Sequence, residues 1–205
     1  MSDFTFEVST KEQGNYETFE WDNLWISHSN EPERKRVLYI GDSISCGTRN
    51  IATERTNDEI LFDGFGTSKG IDNPFFSMSV SLFAKQESRR DAVIFNNGLH
   101  GWHLDDTTEY AEHYEKIVQF LLEEFKGTPL FLILSTHVEN EETEKRVILR
   151  NEAVKKIAKK YNLPIIDLYT VSLNSNALQS DGVHFQTKGY ELLADEIITA
   201  LKSEI

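Results

Sequence analysis

The sequence predicts an α/β protein, a three-layer α/β/α sandwich on about five parallel strands in the doubly wound style. Two observations carry this. Short all-apolar segments recur along the chain ("VLYI", "LFLI", "PIIDL"), and amphipathic helical stripes stand between them. A strand that is apolar at successive positions is buried on both faces, which requires helices on both sides of the sheet. A third observation agrees: each unusual polar cluster follows a predicted strand, the edge at which open α/β sheets hold their sites.

Taken in order, residues 37–40 form the first buried strand, introduced by a charged turn, "EPERKR". Residues 59–65 form a second strand and 68–72 a loop. Asn73-Pro74 reads as a helix cap followed by proline at the first helical position, with Phe76, Val80 and Phe83 at helical spacing. Residues 91–96 ("DAVIFN") are a third strand. Residues 105–125 are the clearest helix, with Tyr110, Tyr114, Ile117, Val118 and Leu121 on its apolar stripe and Gly127-Thr128-Pro129 as its stop. A fourth strand spans 130–134. Val147, Val154, Ile157 and Tyr161 mark the next helix, which ends at Asn162 and Pro164. A fifth strand spans 165–168, and Tyr190, Leu193, Ile197 and Leu201 mark the last helix.

The length of 205 residues suits one domain, residues 37–205, preceded by an arm, residues 1–36, packed on it. In the arm, Phe4 and Phe6 alternate like a short strand, and "WDNLWI" supplies packing tryptophans, Trp21 and Trp25. No apolar run reaches the roughly 18 residues of a membrane span. The start, "MSDFTFEVST", has neither a basic nor an apolar segment of a secretory leader, so the expected location is cytoplasmic. A single cysteine, Cys46, excludes an internal disulfide and a thiolate zinc cluster. The net charge of −13, from 21 basic and 34 acidic residues, repels a phosphate backbone and disfavours nucleic acid as a partner. A neutral or cationic small substrate suits it better, although an acidic surface also simply confers solubility.

Four clusters can carry chemistry: "GDSIS" (41–45), "GFGTSKG" (64–70), "NNGLHGWH" (96–103) and "SDGVHF" (180–185). A serine becomes a nucleophile when a histidine takes its proton and an acid orients that histidine. Asp181 precedes His184 by three residues, and a turn at Gly182 can bring its carboxylate to Nδ1, leaving Nε2 for Ser43. The oxyanion then needs preorganised donors: the Ser43 N–H, a glycine N–H from the second cluster and a side chain from the third. Asp42 is expected to bond nearby backbone N–H groups and hold the turn, with no helix cap read there. Taken one at a time, each residue also has a plainer reading: Ser43 as a turn serine, Asp181-Gly182 as a helix lead-in, Gly70 as a loop glycine, and His100 and His103 with Asp105 or Asp106 as metal ligands.

The order of "GDSIS", a glycine-bearing second loop, a Gly-x-polar third loop and "DGVH" about twenty residues from the end resembles the SGNH, or GDSL-type, serine hydrolases over residues 36–203. The resemblance implies a flavodoxin-like fold and a triad of Ser43, Asp181 and His184, with no metal or organic cofactor. It implies Gly70 as the oxyanion glycine, with Gly66 the runner-up. The third motif of the family is Gly-x-Asn-Asp. Here it reads Gly98-Leu99-His100-Gly101, so the side-chain donor is either His100, whose imidazole N–H can donate, or Asn97. The "GLH" form is similar to a branch found among carbohydrate-ester enzymes. Asp42, Trp102 and His137 are candidate substrate contacts, with Trp102 able to stack on a sugar or to pack under the arm.

The expected activity is therefore hydrolysis of a short acyl ester, an O-acetyl group on a sugar, with the small-molecule ester as partner and a homo-oligomer possible through the arm. Two other readings stay open: a lipase-like or thioesterase activity on longer acyl chains, and a catalytically inactive carbohydrate-binding protein of the same shape. A phosphorylation-dependent receiver would need an aspartate at the end of the third strand, where this chain has Asn96-Asn97.

Overall fold

The computed structural model describes residues 16–205, apart from residues 88 and 203. Its sheet has six strands: β1 (Asp22–Trp25), β2 (Lys35–Gly41), β3 (Ile60–Thr67), β4 (Ala92–Phe95), β5 (Leu130–Ile133) and β6 (Ile165–Ile166), in the order β1-β3-β2-β4-β5-β6. Strands β2 to β6 are parallel to their neighbours, and β1 joins the β3 edge antiparallel, with Asp22 opposite Thr67 and Trp25 opposite Gly64. The five parallel strands are those the apolar segments predict. The chain runs from β2 outward to β3 and then crosses back to β4, so the winding reverses between β2 and β4. The loops at their carboxyl ends diverge there and leave a crevice.

Period-two alternation feeds both faces of the sheet. Leu38 and Ile40 of β2 point into one core with Phe76, Tyr114, Leu121 and Val154. Val37 and Tyr39 point into the other with Ile44, Leu193 and Ile197. Helices α2 (Phe76–Ala84), α3 (Thr107–Glu124) and most of α4 (Glu141–Tyr161) cover the first face; α1 (Ser43–Arg55), α5 (Leu168–Asn174) and α6 (Thr187–Leu201) cover the second. Asn140 caps α4 at one end through a bond from the Thr143 N–H, and Asn162 ends it in the left-handed conformation. Among the described residues, no helix is long and apolar enough to cross a membrane.

Several local expectations are corrected. Helix α1 begins directly after Gly41-Asp42, and Asp42 is its cap, accepting the Ile44 N–H. Its apolar periodicity is weak because Gly47, Arg49 and Asn50 interrupt it, which hides it in the sequence. The segment after β6 is not strand to 168: Asp167 caps the short helix α5 instead. Asn73 accepts the Phe75 N–H in a turn, and α2 starts after Pro74, at Phe76. Arg36, the end of the charged turn, is 1 % exposed and bonds Asp63 with both carboxylate oxygens at 3.0 and 2.9 Å. Trp25 is half exposed on the edge strand rather than packed in a core. The expected strand at Phe4 and Phe6 lies outside the described residues.

Candidate active site

The nucleophile candidate owes its position to a strand running straight into a helix. Asp42 closes the turn: its carbonyl accepts the Ser45 hydroxyl at 2.6 Å and the Cys46 N–H at 3.1 Å, while its carboxylate takes the Ile44 N–H. Ser43 is thereby the first residue of α1, at the positive end of the helix dipole. Burial pushes the Asp42 carboxyl up from its ordinary value, against the pull of His100, the Ile44 N–H and His184.

Across the crevice, the loop before α6 delivers the other two residues. Gly182 takes a φ of 83°, a left-handed turn that a glycine adopts without strain. The turn folds Asp181 back on its own loop, where Oδ1 accepts the Val183 N–H at 3.0 Å and the His184 N–H at 2.7 Å. Asp181 Oδ2 lies 2.8 Å from His184 Nδ1, and His184 Nε2 lies 2.8 Å from Ser43 Oγ. The three groups form a continuous relay although 141 positions separate serine from histidine. Those two backbone donors and the imidazole hold the Asp181 carboxyl down to about 2. The loop is tied to the loop after β5: Glu139 N–H donates to the Gly182 carbonyl at 2.8 Å and Gln179 donates to the His137 carbonyl at 2.8 Å.

The loop after β4 is shaped by a residue that the sequence reading missed. Arg150, on α4, is 2 % exposed, and its guanidinium donates to the carbonyls of Gly98, His100, Gly101 and Leu104 at 2.7–3.0 Å. An arginine in a helical stripe gives no sign in the sequence that four carbonyls of a distant loop converge on it. Asn96 anchors the start of the loop on Ile133 and Ser135. Asn97 donates its amide to the Lys69 carbonyl at 2.9 Å. That carbonyl shares a rigid peptide with the Gly70 N–H, so Asn97 sets the direction of the latter. Among the described residues, neither the Gly70 N–H nor the Ser43 N–H has a protein acceptor. His100 faces Glu17, its Nδ1 3.1 and 3.0 Å from the two carboxylate oxygens, and the Trp21 ring meets its edge.

The other expected contacts sort themselves by burial. Asp42, expected against substrate, is 1 % exposed and caps α1, so it holds the turn instead. His137 lies 2.9 Å from Glu144 Oε1, and its backbone carbonyl accepts from Gln179, which ties it to the segment that carries Asp181. Gly66 is paired on both sides within the sheet, with Asn23 and Gly41, which leaves Gly70 as the glycine with a free N–H. Asn97 gives one amide hydrogen to the Lys69 carbonyl and so positions Gly70. Trp102 is 47 % exposed beside an open cleft lined by Tyr16, Phe19 and His103, with the Arg146 guanidinium over its ring. His103 pairs with Asp72 at 2.6 Å and His100 with Glu17, so each histidine has its own carboxylate; among the described residues, no three ligands converge as a metal site.

With serine, histidine and aspartate aligned at a sheet of this winding, comparison with known proteins adds a family likeness for part of the chain and a fold likeness for most of it. Residues 105–197 match the family of GDSL-like Lipase/Acylhydrolase. That segment includes Asp181 and His184 and begins after Ser43; over the rest of the chain the likeness is one of fold. A lipolytic G-D-S-L family member from Veillonella parvula superposes with a TM-score of 0.69 at 17 % identity, over 83 % of this chain and 100 % of that one. An acetyl xylan esterase gives 0.62 at 20 % identity over 81 % and 99 %. The C-terminal catalytic domain of a peptidoglycan O-acetyltransferase from Streptococcus pneumoniae gives 0.63 at 18 % identity over 83 % and 94 %. No curated protein matches by sequence. The resemblance to GDSL-type acylhydrolases, and the fold that it implied, therefore hold.

Proposed function

We propose that the protein is a serine esterase that removes short acyl groups, O-acetyl in particular, from carbohydrates through an acyl-enzyme. The observation that carries this reading is the Ser43–His184–Asp181 relay, two contacts of 2.8 Å each. Ser43 Oγ attacks the ester carbonyl as His184 Nε2 takes its proton, and Asp181 stabilises the imidazolium. The tetrahedral oxyanion receives the N–H groups of Ser43 and Gly70 and the His100 side chain. Collapse breaks the bond to the alcohol, which leaves with the proton from His184. Water then attacks the acyl-enzyme, again giving its proton to His184, and the carboxylic acid departs as Ser43 regains its hydrogen.

Two features support the substrate class. The cavity beneath the start of α1, lined by Ile44, Leu99 and Leu168, holds about 10 Å³, room for one water, so it adds no acyl-chain volume there. Beside the third loop, exposed rings of Tyr16, Phe19 and Trp102 border an open cleft, and aromatic faces of this kind stack on pyranose rings. The cytoplasm, where imported oligosaccharide fragments arrive, is the proposed place of action. The test is hydrolysis of p-nitrophenyl acetate, butyrate and octanoate by the wild type and by Ser43→Ala, followed by acetate release from acetylated xylo-oligosaccharides. Acetate preference and a dead Ser43→Ala support the reading. Equal rates in the two proteins favour a binding protein, and faster turnover of octanoate or thioesters favours the long-chain alternative.

A further inference from the structure

The N-terminal segment reaches the site through one carboxylate. Glu17 accepts the Gly101 N–H at 3.0 Å and faces His100 Nδ1, and both partners are mostly buried, at 15 % and 16 % exposure. The segment that carries it is fixed by β1, which pairs with β3, and by the Trp21 N–H, which donates to Ser68 Oγ at 2.8 Å. His100 is gripped from the other side as well, because Arg150 holds its carbonyl at 2.7 Å. Arg150 thus fixes the backbone and Glu17 the ring of the residue at the position where the family has its asparagine.

An amide always carries a donor, whereas an imidazole does so only in the right protonation state. With Nδ1–H given to a carboxylate, a neutral ring has a lone pair at Nε2, which repels an oxyanion. The imidazolium has N–H groups at both nitrogens. The charged groups around the ring are Glu17 at Nδ1, Arg150 at the backbone, and Asp42, which also feels His184. We propose that Glu17 is a positioning residue of the oxyanion site, holding His100 by Nδ1 as an imidazolium whose Nε2–H is the third donor. The inference rests on the serine-esterase reading and deepens it: the arm becomes part of the catalytic machinery, and turnover requires one neutral histidine, His184, and one charged one, His100.

The test is the pH dependence of kcat on p-nitrophenyl acetate for the wild type, Glu17→Gln, Glu17→Ala, His100→Asn and the Glu17→Ala/His100→Asn double variant. The wild type should lose kcat toward alkaline pH, where a ring left with only its Nδ1–H turns a lone pair toward the oxyanion. A glutamine can accept from Gly101 and donate to Nδ1, which leaves Nε2–H on a neutral ring, so Glu17→Gln should lose the alkaline limb. Glu17→Ala should lower kcat about tenfold or more, part of what one oxyanion donor supplies, with KM changed little. In the His100→Asn background the same substitution should change kcat by less than about twofold, because an asparagine needs no carboxylate. An alkaline limb retained in Glu17→Gln, or an equal Glu17→Ala penalty in both backgrounds, overturns the proposal and reduces Glu17 to an anchor of the arm. Ser43→Ala assayed alongside separates the two readings: if it is dead while Glu17 behaves as a mere anchor, only this inference fails, and if it is active, the esterase reading fails and this inference with it.

Discussion

At the scale of single residues, the site is a matter of proton ownership. Asp181 is exposed, yet three contacts from its own loop keep it ionised down to about 2. It therefore contributes no limb to the activity profile above that pH. The sign for stability follows the same way: a depressed carboxylate favours the fold above its ordinary value and loses that contribution as pH falls toward 2, a small effect at so exposed a position. Replacing Asp181→Asn should leave thermal stability near the wild type while kcat falls by on the order of 10² or more, because the imidazole loses both its orientation and its counter-charge. A variant that unfolds, or one that keeps full kcat, would show that Asp181 only shapes the turn. Much at this scale is readable directly. Asp181 and His184 stand three apart around a glycine, a spacing whose geometry is local. Arg150 and Glu17 are not readable, since each acts on a loop 46 or more positions away.

At the scale of elements, three connections build the crevice. The cap at Asp42 points α1 so that Ser43 opens it, and Asp42→Ala should cost about 1 kcal/mol while Asp42→Asn keeps most of the cap. The third loop depends on α4 through Arg150. Arg150→Ala leaves four carbonyls without their buried donor and should destabilise by roughly 3 kcal/mol or more in urea unfolding, with a parallel loss of kcat. Arg150→Lys keeps the charge without the planar fork and should recover only part of both. An Arg150→Ala protein with wild-type kcat would separate the loop from catalysis. Helix α1 escaped the sequence reading because Gly47, Arg49 and Asn50 blur its stripe: Gly47 lies under the Tyr190 ring and the Arg49 side chain over Gly64, contacts that make sense only in three dimensions.

At the scale of the whole molecule, a second buried cluster lies at the opposite end of the strands. Arg36 bridges Asp63 on β3 to the carbonyls of Ser27, His28 and Glu31, joining the segment after β1 to the sheet. Nearby, Glu87 bonds Arg90 at 2.6 Å, and burial pushes its carboxyl up to about 7. Here the sign is the reverse of Asp181. The unfolded chain ionises near 4.5 and the folded one near 7, so between these values the native state holds the extra proton and stability falls as pH rises. Unfolding measured from pH 4.5 to 8 should show this decline, and Glu87→Gln should flatten it while raising stability at the alkaline end. An unchanged slope in Glu87→Gln would mean that Arg90 keeps the group ionised throughout.

The sequence by itself determined what depends on neighbours along the chain. Apolar strands and amphipathic helices dictated a parallel sheet covered on both sides, and short-range chemistry in "GDS" and "DGVH" marked the residues at its rim. The tertiary structure alone decided which distant groups meet. The reversal of winding between β2 and β4 opens the crevice, the edge strand brings Glu17 to His100, and α4 sends Arg150 under the third loop. The physical reason is that periodicity and turn chemistry are local properties. The partner of a buried charge is fixed instead by the packing of elements whose order in space differs from their order in the chain.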